Sequence, residues 1–314
     1  MSSDERRLIV RSKDVIASGV VSLELQHESR AEELPPWTPG AHIDVILPSG
    51  SVRQYSLCGN PDNRAGFRIA VLREFQSRGG SAYIHDTLAV GDSVLVRGPR
   101  NNFPYVASNR YRFIAGGIGI TPILPMIAKA DAAGADWRLL YGGRTRTSMA
   151  FLPQLGPYVN RVKIAPQDET GLLDLDGWLK NPEPDCLVYC CGPEPLLTAV
   201  EARCGGWPDG VLRIERFKPL ISEQVNDEFE VELRQSNVTL TVPADKSIVQ
   251  TIEDAGIAVS FSCLEGICGT CETRVIEGIP DHRDSILSNE EKAENRTMMI
   301  CVSRSCTKRL VLDL

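Results

Sequence analysis

A chain of 314 residues is long enough for two or three domains with separate cores. Its 42% hydrophobic and 24% charged residues are those of an ordinary globular protein, and a net charge of −7 without a basic tract disfavours nucleic acid and anionic membranes. The opening MSSDERRLIVRSKD lacks the apolar stretch of a secretory signal, and no apolar run reaches membrane-spanning length. A cytoplasmic location is therefore expected, where ten cysteines suggest metal ligands and buried thiols rather than disulfides.

Residues 1–105 read as β-rich. The alternating runs VVSLELQH, HIDVIL, RQYSL, FRIAVLRE and DSVLVRGP are separated by Gly, Pro, Asn and Asp, which predicts a barrel or sandwich. One helix interrupts them, opening at Gly79-Gly80-Ser81 and running through AYIHDTL. Residues 106–218 alternate strands (RYRFIAGG, WRLLYGG, RVKIAP, LVYCCGP, VLRIERF) with helices (TPILPMIAKADAAG, PEPLLTAVEARC), which predicts βαβ units around a parallel sheet. Residues 219–226 show no pattern and read as a linker. Residues 227–314 begin with the strands EFEVELRQ and VTLTVPA; the helix SIVQTIEDAG and a cysteine loop follow, and strands lie near MMICVSR and RLVLDL.

Three short motifs carry chemistry. In RQYS, alternation puts Arg53 and Tyr55 on one strand face, where a guanidinium can grip a phosphate and a ring can pack on an aromatic cofactor. An exposed Arg beside a half-buried Tyr is the plain alternative. The nearby helix start at Gly79, Gly80 and Ser81 favours the phosphate, because it offers free amides and a positive dipole end. In AGGIGITP, Gly116, Gly117 and Gly119 allow the backbone to approach a pyrophosphate, and Thr121 opens the helix. Such a loop alone is often a turn, but here it has the strand–turn–helix context. Cys191-Gly192-Pro193 closes a later strand, so both loops can face one pocket at the carboxyl ends of a parallel sheet.

The third motif is Cys263, Cys268, Cys271 and Cys301, spaced C-x4-C-x2-C and then C after 29 residues. This is the plant-type spacing for four thiolates on a [2Fe–2S] cluster. Ser262, Gly266, Gly269 and Thr270 are small residues suited to a loop that wraps a cluster, and glycine supplies positive φ and close amide approach to sulfur. A zinc site is the alternative, although zinc favours paired C-x2–4-C units. Cys306 is a poor substitute for Cys301. It reads with Cys58, Cys186, Cys190, Cys191 and Cys204 as a buried small hydrophobe.

The stretches RQYSLCG, RGGS, GPRNNFPY, AGGIGITPILPM, CCGPEPL, CLEGICGTC, DHRD and CVSRS, in this order, resemble the phthalate dioxygenase reductase family. That group of single-chain reductases of Rieske-type oxygenases includes the vanillate demethylase reductases. The resemblance spans nearly the whole chain. It implies a ferredoxin-reductase-like β-barrel flavin domain, an α/β Rossmann-like nucleotide domain and an α+β, β-grasp plant-type ferredoxin domain. FMN, NADH and one [2Fe–2S] cluster are implied with them.

By that resemblance Arg53, Tyr55 and Ser56 bind the flavin, Ala70 and Leu72 lie beside it, and Gly79, Gly80 and Ser81 take its phosphate. Gly116, Gly117, Gly119, Thr121, Cys191, Gly192 and Pro193 line the nicotinamide side, and Phe217 covers the flavin ring unless it is a core phenylalanine. Arg144 and Arg146 could accept a 2′-phosphate or be solvated charges; the resemblance favours NADH, with Asp168 a distant candidate for a hydroxyl contact. NADH releases two electrons at once and the cluster accepts one, so a flavin between them is required. No acid–base pair is expected, and His42, His85 and His282 read as structural or surface residues. The implied partner is a terminal Rieske-type oxygenase acting on an aromatic acid or similar small substrate, met by a monomer. A stand-alone ferric or quinone reductase or oxidase is the alternative function.

Overall fold

The structure, a computed structural model, describes residues 5–29, 32–75, 79–180, 185–219 and 226–314. Most of the expected linker, residues 220–225, lies outside them, as does Arg78 of the RGGS motif. The chain forms two compact units, Met1–Glu215 and Arg216–Leu314.

In the first unit, strands β1 (Glu5–Ala17), β2 (Val20–Gln26), β3 (His42–Ile46), β4 (Val52–Ser56), β5 (Gly66–Leu72) and β6 (Ser93–Arg100) form an antiparallel sheet in the order β4-β3-β6-β1-β2-β5. Its two edges approach each other just past β4. Leu57 bridges Ile69, and the Cys58 amide donates to the Arg68 carbonyl at 2.9 Å. The sheet thereby curls into a barrel around Leu8, Leu23, Leu25, Ile43, Leu57 and Phe67, all fully buried. β1 has no clean alternation to mark it in the sequence. It carries register shifts at Val10/Ser12 and Val15/Ala17, and each bulge turns the following side chains to the opposite face. Helix α1 (Gly80–Asp86) starts on Gly79 in the left-handed conformation.

The same unit continues with five parallel strands: β7 (Arg110–Gly116), β8 (Asp136–Gly143), β9 (Val162–Pro166), β10 (Cys186–Cys191) and β11 (Leu212–Glu215). The order is β11-β10-β7-β8-β9. The chain winds one way from β7 and then returns to its other side, so the direction switches between β7 and β10. That is the place where an open α/β sheet binds ligands. Helix α2 (Ile120–Ala132) covers one face. Tyr111, Phe113, Trp137, Tyr141 and Tyr189 are fully buried in this half. Barrel and parallel sheet are tied by the Ser18 amide to the Thr147 carbonyl at 2.8 Å and by the Arg68 guanidinium over the Phe151 ring at 5.2 Å.

The second unit holds β12 (Phe229–Leu233), β13 (Val238–Val242), β14 (Glu272–Glu277), β15 (Pro280–Asp281), β16 (Thr297–Met299), β17 (Arg304–Ser305) and β18 (Arg309–Leu312). Five of them form one mixed sheet, β13-β12-β18-β14-β16, while β15 and β17 pair separately. The helix Ile248–Asp254 lays Ile248, Val249 and Ile252 on the mixed sheet in a β-grasp. A capping box starts that helix: Ser247 Oγ accepts the Gln250 amide at 3.1 Å, and Gln250 Oε1 accepts the Ser247 amide at 2.9 Å. β14 and a short helix, Asn289–Glu294, were not legible in the sequence. The inward positions of β14 are Thr273 and Val275, so its apolar period is hidden, and the helix buries no side chain. Cys306 is exposed, which corrects its reading as a buried thiol; β17 ends at Ser305, and the following turn carries Cys306 outward. Among the described residues no helix is long and apolar enough to cross a membrane.

Candidate functional site

The flavin residues expected from the sequence meet at the barrel's two edge strands. Arg53, Tyr55 and Ser56 lie on β4, and Ala70 and Leu72 on β5. The Arg53 side chain runs directly against the start of α1. A Cβ placed on Gly80 would come within 2.7 Å of Arg53 Cγ and 2.9 Å of its Nε. Gly80 is therefore required for Arg53 to lie across the helix entrance, which brings the guanidinium close to the start of α1. Ser81 Oγ accepts the Glu74 amide at 3.1 Å, which folds the segment after β5 back onto the start of α1. Tyr55 packs part of its ring on the barrel core, and burial pushes its hydroxyl far above the ordinary tyrosine value, so it stays neutral.

The two glycine loops of the parallel sheet touch backbone to backbone. A Cβ on Gly119 would fall 2.2 Å from the Cys191 carbonyl oxygen, and one on Gly192 would fall 3.0 Å from the Gly116 Cα. Gly116 is equally enclosed, by Pro193 and Leu196 at 2.7 Å. Gly117 differs: its φ is +56° and no atom crowds its missing Cβ, so its backbone faces open space. Tyr141 Oη lies 3.2 Å from the Gly117 carbonyl and 3.1 Å from that of Ala150, steadying the loop from beneath. Thr121 Oγ1 donates to the Ile118 carbonyl at 2.9 Å, so its hydroxyl serves its own turn.

The structure adds a residue the sequence reading passed over. Glu215 ends β11, and its carboxylate accepts from Cys191 Sγ at 3.8 Å and from the Ser56 hydroxyl. A flavin-strand residue, a nucleotide-loop residue and a carboxylate thus converge. Desolvation raises the Glu215 carboxyl to about 8 despite those donors. Burial, and then the carboxylate itself, hold the Cys191 thiol well above its ordinary value. The available signal was positional: an acidic residue at the carboxyl end of a parallel strand, beside both glycine loops. Phe217 is half-buried just past that strand, in the second unit.

Arg144 and Arg146 follow β8 and are both exposed. Arg146 is held by Glu169 in a two-pronged pair, Nε–Oε1 at 3.0 Å and Nη2–Oε2 at 2.6 Å. Asp168 is exposed beside Glu169, and its amide donates to the Arg144 carbonyl at 3.2 Å. Of the histidines, His42 is buried, His282 is half-buried, and His85 Nε2 lies 2.9 Å from the Val71 carbonyl.

In the second unit the four cysteines converge. Cys268, Cys271 and Cys301 are buried and Cys263 is partly exposed. Thiol contacts run from Cys263 to Cys268 and Cys301, and from Cys271 to Cys301. Cys263 is pulled down toward thiolate by its cysteine neighbours first, then by the amides of Ile267 and Glu265; Cys271 is pulled down chiefly by Cys301. The Glu265 amide lies 3.3 Å from Cys263 Sγ, and the Thr270 amide 3.5 Å from Cys268 Sγ. Gly266 and Gly269 take φ of +68° and +75° to aim those amides. Among the described residues no group of three or more His, Cys, Asp or Glu side chains has the geometry of a single-ion site. The thiols touch one another, and four cysteines at this spacing are the donor set of a plant-type [2Fe–2S] cluster.

Barrel, switch-point loops and cysteine cage together define a flavin- and nicotinamide-binding reductase with a plant-type ferredoxin domain. Comparison with known proteins agrees. Residues 231–306 match the 2Fe-2S iron-sulfur cluster binding domain. The chain is 41% identical to phenoxybenzoate dioxygenase subunit beta of Ectopseudomonas oleovorans, covering 95% of this chain and 94% of that one. It is 40% identical to tetrachlorobenzoquinone reductase of Sphingobium chlorophenolicum, covering 95% of each. With phthalate dioxygenase reductase of Burkholderia cepacia it shares 38%, over 98% of this chain and 97% of that one.

Among solved structures, phthalate dioxygenase reductase superposes with a TM-score of 0.72 at 38% identity, covering 99% of this chain and 98% of that one. An intact type IV self-sufficient cytochrome P450 monooxygenase gives 0.93 at 42% identity over 99% of this chain, which spans only 41% of that protein. The chain belongs to the phthalate dioxygenase reductase family, oxidoreductases that join a flavin, a nicotinamide site and a [2Fe–2S] cluster. The zinc alternative for the four cysteines gives way to the cluster.

Proposed function

We propose that the protein is the reductase of a Rieske-type oxygenase system, moving electrons from NADH through FMN to its [2Fe–2S] cluster and on to a terminal oxygenase for an aromatic acid or similar substrate. The observation that carries this reading is one chain in which Ser56 of the barrel and Cys191 of a switch-point loop meet at Glu215 and in which four cysteines converge. We divide it into a flavin barrel (1–105), a nucleotide domain (106–218), a linker (219–226) and a ferredoxin domain (227–314), acting as a monomer in the cytoplasm.

Bound flavin supplies the junction between two-electron and one-electron transfer. The chain's own residues place and protect it. Arg53 and the α1 amides at Gly80 and Ser81 neutralise the phosphate of FMN. Ser56, Ala70 and Leu72 bound the ring from the barrel side. Gly117 gives the nicotinamide nucleotide an open backbone to approach, while Gly116, Gly119, Thr121, Gly192 and Pro193 keep the two loops in register. Glu215 orients Ser56 and Cys191 toward each other and holds its proton at neutral pH.

NADH is preferred over NADPH because Glu169 engages both prongs of Arg146 and Asp168 stands beside it, leaving a 2′-phosphate facing acidic groups. Cys263, the least buried of the four ligands, marks the exit for electrons. Glu265 and Glu272 flank the loop and steer a basic patch on the partner.

The test is reduction of separately purified acceptors by the whole protein with NADH. Turnover of a Rieske oxygenase is expected; reduction of none of a broad panel of them would refute the reading. A cytochrome P450 belongs in the same panel, since the likeness to a self-sufficient P450 favours it as a second acceptor class. So does a quinone, given the identity to a quinone reductase.

A further inference from the structure

The cysteine loop has a charged wall behind it. Between Cys271 and Cys301 the chain passes through the segment 280–287, which touches both halves of the cysteine motif. Gly266, between Cys263 and Cys268, is pressed against Asp284: a Cβ there would lie 3.2 Å from the Asp284 Cα and 2.6 Å from Val302 Cγ2. The Ser285 amide donates to the Gly266 carbonyl at 3.0 Å. On the other side, the Arg283 amide donates to Ser303 Oγ at 3.2 Å, two residues past Cys301.

Asp284 is fully buried in this wall. Its Oδ2 accepts the amides of Ile286 at 3.1 Å and Leu287 at 2.8 Å, and Lys292 Nζ stands 3.9 Å away while donating to the Asp284 carbonyl at 2.7 Å. Oδ1 faces His282 Nδ1 at 3.8 Å. Among the described residues, Oδ1, Ser285 Oγ and both His282 ring nitrogens have no hydrogen-bond partner. Oδ2 holds the loop through the two amides, whereas Oδ1 is buried facing the histidine with no donor among the described residues. A buried carboxylate with a lysine on one side and a histidine on the other is an electrostatic feature.

We propose that Asp284, flanked by His282 and Lys292, is the electrostatic back wall of the cluster site and sets the cluster's reduction potential. The proposal rests on the reading of the four cysteines as cluster ligands. Reduction adds one electron to a group already carrying four thiolates. A fixed negative charge on the loop disfavours that electron, and the lysine offsets part of the effect. Removing each charge should therefore move the potential in opposite directions, whereas a merely looser loop would move it the same way for both.

The experiment is a redox titration of the whole holoprotein, read by electron paramagnetic resonance at one pH and ionic strength. Iron and sulfide analysis of the wild type checks the cluster reading first and separately. Asp284→Asn keeps the side-chain shape and an acceptor for the two amides. It is expected to retain iron and sulfide and to shift the oxidised-to-reduced ratio at the wild-type midpoint about tenfold toward reduced, about 59 mV for a one-electron couple. Lys292→Met should shift the cluster the other way and leave the flavin midpoint unchanged. Unmoved potentials, or shifts of the same sign in both variants, overturn the proposal. If Asp284→Asn assembles no cluster, Lys292→Met decides alone: a downward shift supports the proposal and an unchanged potential overturns it.

Discussion

The proposed cofactor selection rests on single side chains. Arg53 lies across the start of α1 with its shaft against Gly80. Arg53→Ala removes a charge-assisted contact worth roughly 1.5–3 kcal/mol, so flavin affinity should fall about tenfold to a hundredfold. Flavin retention on a desalting column checks this. Arg146 and Glu169 form an exposed pair, and such pairs contribute little to stability; their effect should lie in nucleotide choice. Glu169→Ala should leave the Tm within a degree or two, and should raise kcat/KM for NADPH by about threefold to tenfold while changing that for NADH little.

Glu215 gives a pH signature. Its carboxyl is raised to about 8 in the folded protein, so between the unfolded carboxylate range and pH 8 the folded state binds the extra proton. The stability this confers is complete at low pH and lost as pH climbs through about 8, at up to about 1.4 kcal/mol per pH unit. Glu215→Gln cannot titrate. Its Tm should exceed that of the wild type by more at pH 9 than at pH 6, as differential scanning calorimetry would show.

At the scale of elements, the two glycine loops behave as one unit. Gly119 and the Cys191 carbonyl oxygen could not keep their separation with any side chain between them, and both groups are backbone, which yields poorly. Gly119→Ala should cost about 1–3 kcal/mol, a fall in Tm of several degrees. It should also weaken pyridine nucleotide binding, because the displaced loop carries Cys191 away from Glu215. A variant with wild-type Tm and wild-type KM would show that the loops are not coupled in this way.

For the whole molecule, the four cysteines lie in the unit Arg216–Leu314, and the proposed flavin residues and both glycine loops lie in Met1–Glu215. Cys268→Ser removes one ligand of four and should prevent stable cluster assembly. The first unit keeps its own core, so flavin bleaching by NADH in stopped flow should persist near the wild-type rate. Reduction of one-electron acceptors that draw on the cluster should be lost. A variant that still supports oxygenase turnover at full rate would contradict the order of electron flow.

The division between sequence and structure follows the range of the interactions. Glycine, proline and cysteine impose local constraints, so the strand–loop–helix of AGGIGITP, the helix start at Gly79-Gly80 and the four-cysteine spacing were legible from the chain alone, and with them the multidomain class. β1 was not, because its bulges are settled by pairing with β2. Nor was the meeting of Ser56 and Cys191 with Glu215, or of Gly266 with Asp284. Each joins residues distant in sequence. Burial then decides what such groups do: the same glutamate that would be an ordinary carboxylate on a surface strand holds its proton at neutral pH once the barrel and the parallel sheet close around it.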